Sequence, residues 1–528
     1  MRHRHRNPLR RAAADRRGQR ARDRTGVAPD RGARTRSRVL CRGGGTVRTR
    51  RASDRDLRPR LDRAGPPARR IHRAGPARRG RGLHGPVGRG LVPVNDASAS
   101  GRIVDSRGWV LGVLTSIYLV NFIDRQILAI LLPQVKAEFD LSDTFLGLLV
   151  GPTFAFFYAT MGLPLALLAD RVNRRRLIAA SLALFSAMTI ACGLVVQFWQ
   201  LAVARILTGV GEAGTGPASQ TMITDLYPPE RRARAQAIYA TGANLGVLVA
   251  FAAGGAIAQA WGWRAAFIAA GIPGLVIAVV LLATVRDPRR GASDPVASQE
   301  NAPAFGTVMG QLWRSRAFRY TALGACSTCF TAYALGSFFP LFLSRSHGLS
   351  TAEIGIVMAL IMGVCGGLAT YAAGHLADRF GRRDQRWYSW VPALAALAPL
   401  PLAPICFLAP DTGVALAAAI VPLSLTAAFI GPTIAIVQRL VPVRSRATAV
   451  ATLILIDNIV GLGLGPQFVG LASDLWKPAL GEDSLRYAML AAMAGSAVSV
   501  FGFVMAARHL RTDIAAREAA AAAPASIG

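Results

Sequence analysis

From Trp109 almost to the end of the chain, apolar runs long enough to cross a bilayer alternate with short polar loops. A membrane helix needs about 20 consecutive apolar residues. By that measure the pattern predicts twelve spans, at 109–133, 143–168, 175–196, 199–225, 233–259, 264–286, 317–344, 353–377, 387–409, 412–438, 446–472 and 485–508. Internal prolines and glycines (Pro164, Pro217, Gly254, Pro432, Gly465) fit bundled membrane helices, whose neighbours satisfy the freed backbone groups. The polar stretch 287–316 separates six spans from six. The expected fold is an all-α membrane protein with two six-helix halves, 109–286 and 317–508, a cytoplasmic linker at 287–316 and a cytoplasmic tail at 509–528.

Arginine placement sets the predicted orientation, because cytoplasmic loops carry the excess of Lys and Arg. Arg171, Arg174, Arg175 and Arg176 follow the second span, and Arg231, Arg232 and Arg234 the fourth. Arg379, Arg382, Arg383 and Arg386 follow the eighth, and Arg444 and Arg446 the tenth. The turn after the third span has no Arg or Lys, and that after the ninth offers only Asp411. Both termini are therefore expected in the cytoplasm, in a multi-pass, monomeric protein of a bacterial inner membrane.

Composition divides the chain. Its formal net charge is +32, yet residues 1–100 hold 29 Arg and 7 Asp with no Lys or Glu, a net of +22. The other 428 residues carry only +10. Residues 1–100 show no hydrophobic periodicity and are expected to be disordered, with too little apolar surface to fold. They read as an upstream frame translated from a misplaced start, or as a disordered cytoplasmic tail. No Met occurs between Met1 and Met161, so a later start would need an alternative codon, near Val92 or Val94. A basic arm for nucleic acid or anionic lipid is the weaker reading, since the segment has no aromatic residue and no basic helical face. No nucleic-acid partner is expected. No cleavable signal peptide is expected either, because a long charged stretch precedes the first apolar core.

Of six Cys, five lie in apolar runs. Cys326 and Cys329 form a CxxC, a spacing that elsewhere raises zinc or thiol chemistry. Within a membrane span, without a second pair or a nearby His, it reads as small-residue packing. No metal, cofactor or catalytic residue is expected, and no Gly-x-x-x-x-Gly-Lys-Ser/Thr loop is present for nucleotide binding.

Ionisable groups within a span cost about 2.5–3.5 kcal/mol each on insertion scales, so they mark function or paired structure. The first span carries Asp124 and Arg125; the fourth carries Arg205 and Glu212, seven apart and so on one helix face. Two acids and two bases suggest a compensated cluster facing the bundle interior. It either holds the first half together as salt bridges or lets Glu212 or Asp124 cycle a proton. Burial favours a protonated carboxyl and a nearby Arg the ionised one, so moving Arg125 or Arg205 would switch proton affinity. Asp457, followed by Asn458, is a further acid in the eleventh span, placed to contact substrate or pair with a polar neighbour. Asn121, Tyr333 and Phe338 are candidates for a substrate cavity wall, with plain helix packing as the alternative for the aromatics. Gly242, Gly246, Gly254 and Gly255 in the fifth span allow close backbone approach, static or rocking.

One loop signature occurs twice, 208 residues apart. The first copy runs Ala166-Leu-Leu168-Ala-Asp170-Arg171-Val-Asn173-Arg174-Arg175, the second Gly374-His-Leu376-Ala-Asp378-Arg379-Phe-Gly381-Arg382-Arg383. Repetition of a hydrophobic–loop–hydrophobic unit implies two equivalent halves about a central path, the architecture of a secondary transporter. The loops' expected role is conformational, with Asp170 and Asp378 pairing with Arg at the rim; topology-setting charge is the alternative. The pattern resembles the loop signature of the major facilitator superfamily. Asn121-Phe-Ile-Asp124-Arg125, Asp170-Arg171-Val-Asn173-Arg174, Gly209-Val-Gly211-Glu212-Ala213 and the loop Asp225-Leu-Tyr-Pro228-Pro-Glu-Arg231 are similar to its Spinster-like branch, the lysolipid and sphingolipid transporters. Ala166 and Asn173 depart from the two glycines of the superfamily form, and the Asn resembles that branch.

The resemblance implies a proton-linked carrier of amphipathic molecules, with Asp124, Arg125, Arg205 and Glu212 as the coupling set. The expected function is proton-coupled transport of a lysolipid-like small molecule by alternating access, with substrate, protons and the lipid bilayer as partners. Asn121-Phe-Ile-Asp124-Arg125 is also similar to organic anion–cation symporters, which keeps uptake of an organic acid as the alternative. A non-transporting membrane sensor is the second alternative.

Overall fold

A computed structural model describes residues 106–290, 305–442 and 445–522. The basic segment 1–100, the middle of the linker (291–304) and the last residues of the tail lie outside the described residues. Among those described, every regular element is a helix.

The first half comprises α1 (Arg107–Phe139), α2 (Asp143–Val150), α3 (Pro152–Arg171), α4 (Arg174–Cys192), α5 (Phe198–Glu212), α6 (Thr215–Leu226) and α7 (Pro229–Thr284). α8 (Phe305–Arg314) precedes the second half, which begins with α9 (Arg316–His347) and α10 (Thr351–Met358). A π-helical segment (Ala359–Cys365) leads into α11 (Gly366–Gly381), followed by α12 (Trp387–Leu397), α13 (Ala403–Leu408), α14 (Thr412–Ser424) and α15 (Ile430–Leu440). Next come α16 (Arg446–Asp457), a second π segment (Asn458–Leu464), α17 (Gly465–Leu480), α18 (Ser484–Ala492) and α19 (Ala494–Ala522).

Eight continuous helical stretches of the described residues are long and apolar enough to cross a membrane. The difference from the expected spans has local causes. Pro229–Thr284 runs for 56 residues but is divided at Gly262, whose φ of 82° and ψ of 166° lie outside the helical region. The stretch 198–226 breaks at Ala213 and Gly214, and 387–408 breaks between Leu397 and Ala403, leaving pieces shorter than a bilayer requires. Elsewhere helices overshoot the apolar runs because polar residues at their ends find partners. α1 continues past 133, where Lys136 pairs with Asp143 and Glu138 pairs with Arg264 at 2.5 Å. The tail likewise continues as helix to Ala522, and Arg511 on it pairs with Asp384 at 2.8 Å.

Buried packing shows how the halves meet. One core joins both: Ile127, Leu131 and Phe251 of the first half share it with Phe338, Phe342, Ile354 and Val469 of the second. At the end bearing the Asp-Arg loops the cores stay separate. Leu114, Leu182 and Leu281 pack within the first half, and Phe318, Val437 and Phe503 within the second. Glycines make the shared end close. A Cβ on Gly255 of α7 would stand 2.8 Å from the Thr351 carbonyl oxygen, and one on Gly470 of α17 would strike the Asp143 carbonyl oxygen.

Candidate functional site

The four charged residues expected within the first half are brought together between α1 and α5, in crosswise pairs. Arg205 Nη1 donates to Asp124 Oδ2 at 2.9 Å, and the Thr189 hydroxyl of α4 donates to the other oxygen of Asp124. Arg125 Nε donates to Glu212 Oε1 at 2.6 Å. Asp124, Arg205 and Glu212 are all buried. Close backbone packing sets this register: a Cβ on Gly209 would lie 2.9 Å from the Phe154 carbonyl oxygen, and one on Gly211 would lie 2.8 Å from the Phe185 nitrogen. The run Gly209-Val-Gly211-Glu212 thus lets α5 sit hard against α3 and α4 and presents Arg205 and Glu212 to α1.

Aromatic faces complete the surroundings. The Arg125 guanidinium lies 4.6 Å from the Tyr158 ring centroid and 5.5 Å from that of Phe154, which Arg205 approaches at 5.2 Å. Such contacts offset part of the cost of a buried cation. Glu212 Oε2 and Arg205 Nε are buried with no hydrogen-bond partner. Asn121 Nδ2 donates to the Thr215 hydroxyl at 2.8 Å, and that hydroxyl donates to the Glu212 carbonyl oxygen at 2.8 Å. Asn121 therefore braces the bend after α5 and is buried.

The other expected site residues are placed as follows. Tyr333 packs with Phe154, Tyr158 and Leu462 where α3 meets the second π segment. Phe338 is fully buried in the shared core. Asp457 ends α16 and Asn458 opens the π segment, its amide donating to the Ile454 carbonyl oxygen at 2.8 Å. Cys326 and Cys329 are free thiols, and Cys329 packs against Gly461. No group of three or more metal-ligating side chains is present among the described residues.

The two loop copies differ. Asn173 accepts from the Arg176 N–H at 3.1 Å and caps α4, which explains the Asn where the superfamily form has Gly. Arg174 is buried and tied to three partners: Asp225 at 2.5 Å, Asp287 at 2.9 Å and the Pro288 carbonyl oxygen at 2.6 Å. Arg175 donates to the Leu282 carbonyl oxygen at 2.5 Å, and Arg171 is exposed. Asp170 lies in the last turn of α3, its side chain outside the described set. In the second copy Asp378 accepts from the Tyr388 hydroxyl at 2.9 Å, whose ring lies against Gly381 and under Arg439. Arg379, Arg382 and Arg383 are exposed.

A second cluster escaped the sequence reading. Asp143, buried at the start of α2, receives both Arg345 terminal nitrogens at 2.9 and 3.0 Å, the Ser473 hydroxyl at 2.6 Å and Lys136. Asp474 of α17 accepts from the Asp143 and Thr144 N–H groups at 3.1 and 2.7 Å, capping α2 from the opposite half. Gln134 donates to the Ala258 carbonyl oxygen at 3.2 Å and to the Thr351 hydroxyl at 3.1 Å. Asp143 and Arg345 sit at span ends, where charge looks like ordinary loop composition. Only their pairing across the halves distinguishes them.

Residues 114–466 match the family model for the Major Facilitator Superfamily. The chain is 30% identical over 79% of its length to an MFS-type efflux pump of Mycolicibacterium smegmatis, covering 97% of that protein. It is 27% identical over 70% of its length to the sphingosine-1-phosphate transporter SPNS2 of Mus musculus, covering 72% of it. Its fold matches the crystal structure of a bacterial homologue of the human lysosomal transporter Spinster, in an inward-facing and unoccupied conformation. That match has a TM-score of 0.71 and 31% identity, over 77% of this chain and 98% of that one. The chain is a multi-pass membrane transporter, not an enzyme, and belongs to the Spinster-like branch of the major facilitator superfamily.

Proposed function

We propose that this chain is a proton-coupled secondary transporter that moves a lysolipid-like amphiphile across a bacterial inner membrane by alternating access. In this reading twelve spans form two halves, 109–286 and 317–508, joined through 287–316, with both termini in the cytoplasm. The observation that carries the coupling is the single-point pairing of Arg125 with Glu212. Arg125 engages Oε1 and leaves Oε2 buried without a partner, a ready position for a proton. Protonation there weakens the hold on Arg125 and frees its guanidinium for an anionic group on the substrate. Asp124, fixed by Arg205 and Thr189, keeps the neighbouring backbone in place.

Separate cores at the loop end and a shared core with the Asp143–Arg345 cluster at the other support a state open toward the cytoplasm. The likeness to an inward-facing structure supports the same state. Alternation requires breaking the shared end and joining the loop end. A lipid-like substrate is supported by the likeness to SPNS2.

The test is the full chain in liposomes enclosing a pH-sensitive dye, challenged with a lysophospholipid below its micellar concentration. Empty liposomes control for leakage. Proton movement with lysolipid, absent in Glu212→Gln, is the expected result. Movement with hydroxy or aromatic acids alone reassigns the chain to organic acid symport, and no proton movement with any compound removes the proton-coupled reading.

A further inference from the structure

On the outer face of the second half, α9 and α19 lie in close backbone contact. A Cβ on Gly502 of α19 would stand 2.6 Å from the Gly324 nitrogen of α9. Beside that contact the Tyr320 ring stacks on His509 at 5.6 Å and meets the Phe501 ring edge-on at 6.2 Å. Exposed residues flank this aromatic line. On α9 they are Arg316, Arg319 and Leu323, and on α19 Val498, Phe501 and Arg508. Spacings of three and seven put each set on one helix face.

The groove between the two faces is polar at one end and apolar beyond it. Arg316, Arg319 and Arg508 stand where the spans end, at the end bearing the Asp-Arg loops, since Arg511 pairs there with Asp384. Leu323, Val498 and Phe501 carry the groove on toward the bilayer interior. No Asp or Glu occurs from 305 to 352 or from 484 to 512. Asp513, just beyond, is engaged by the Ser315 hydroxyl at 2.6 Å and the Ala317 N–H at 2.8 Å. Among the described residues none of the three arginines pairs with a carboxylate. Arg508 Nη1 lies 3.8 Å from the Met505 sulfur, so its guanidinium folds back along α19 toward the apolar stripe. Three unpaired cations at the membrane boundary, continuous with exposed apolar surface inside it, fit a ligand that joins an anion to a hydrocarbon chain.

We propose that the groove between α9 and α19 binds an anionic diacyl phospholipid of the surrounding membrane. Arg316, Arg319 and Arg508 hold its phosphate, and one acyl chain follows Leu323, Val498 and Phe501. Tyr320 and His509 lie between the two, at the depth where aromatic rings favour the interface. The site faces lipid, apart from the charged pairs of the first half, and does not depend on which molecule is transported.

The full chain is titrated with phosphatidylglycerol and with phosphatidylcholine of the same acyl chains, and binding is counted by native mass spectrometry. Wild type is expected to bind phosphatidylglycerol about tenfold tighter or more. Arg316→Gln, Arg319→Gln and Arg508→Gln together are expected to abolish that preference, and Lys at the same three positions to keep it. A control with Arg107→Gln, Arg231→Gln and Arg234→Gln removes equal charge from exposed positions of the first half and is expected to keep it. No preference in wild type, or equal loss in both triple variants, overturns the inference. Displacement of the lipid by an equal concentration of glycerol phosphate would make this a site for soluble phosphate and overturn the lipid assignment. A second measurement needs no variant. Wild type in mixed nanodiscs is cross-linked with either lipid carrying a photoactivatable acyl chain. Phosphatidylglycerol is expected to label 316–323 and 498–508 in excess over the exposed apolar stretch 272–282, and phosphatidylcholine is not. The same labelling pattern for both lipids also overturns the inference.

Discussion

Arg125 holds Glu212 by one oxygen only, Nε to Oε1 at 2.6 Å, while Asp124, its neighbour in sequence, is held by Arg205 and Thr189 together. The two carboxylates therefore differ in what a proton must displace. At Asp124 both oxygens are engaged; at Glu212 one is open.

Glu212→Gln keeps an oxygen for Arg125 and removes the titration. A coupled carrier gains about tenfold accumulation per pH unit for each proton moved. We expect that gain to disappear in the variant, with accumulation falling to the equilibrium level while substrate binding changes less than about threefold. Substrate accumulation against an imposed pH gradient, with equilibrium binding on the same preparation, measures both. Accumulation at the wild-type level would remove Glu212 from the coupling step.

At the shared end, Asp143 is buried with Arg345 and Lys136 on it. Removing one partner of a buried pair costs about 3–5 kcal/mol where the remaining charge stays buried. The transporter can escape that cost by opening this end, so Arg345→Ala is expected to shift the population away from the present state. Gly470→Leu should do the same by sterics, since even a Cβ there strikes the Asp143 backbone. Spin labels on exposed Phe145 of α2 and Leu475 of α17 report the separation. Both variants are expected to lengthen it, and unchanged distances would mean this end does not open.

Much of this arrangement is legible in the sequence because membrane burial makes charge rare. Asp124, Arg125, Arg205 and Glu212 stand out against apolar runs, and the structure brings all four together. Their crosswise pairing is not legible, because it depends on how α1 rotates against α5. The shared face of Arg205 and Glu212 suggests one site, whereas each meets a different neighbour on α1. Phe338 shows the complementary limit: an aromatic in a span has the same pattern whether it faces a cavity or a core. The end cluster was hidden because Asp143, Arg345 and Asp474 lie where polar residues are unremarkable.

Asp384 gives a pH dependence outside the spans. Burial opposes ionisation of its carboxyl, but the Arg386 N–H at 3.0 Å and the Arg511 guanidinium at 2.8 Å outweigh it and hold it below the usual carboxylate range. A lowered folded-state value contributes stability above the unfolded value, near 4, and loses it as pH falls through the folded one. Anchorage of α19 should thus be intact at neutral pH and weaken in acid. Hydrogen exchange of residues 509–519 is expected to speed up in Asp384→Asn at pH 7, with the difference from wild type shrinking as pH falls below the unfolded value of about 4. A difference independent of pH would assign the contact to packing instead.

The repeated loop signature predicts equal roles for its two copies, and the structure predicts unequal ones. Arg174 is buried and joins Asp225 at the end of α6 to Asp287 and Pro288 after α7. Its counterpart Arg382 is exposed. Arg174→Ala takes a buried cation from both Asp225 and Asp287, so a loss of stability of up to about 3–5 kcal/mol is expected. Arg382→Ala removes only a solvated charge and should stay within about 0.5 kcal/mol of wild type. Thermal unfolding of the two variants in one detergent compares them directly. A clear fall in Tm for Arg174→Ala beside a near-silent Arg382→Ala is the expected pattern. Equal falls would show that Arg382 finds buried partners in another state of the cycle, which makes the second copy a contact of the alternate conformation and not of this one.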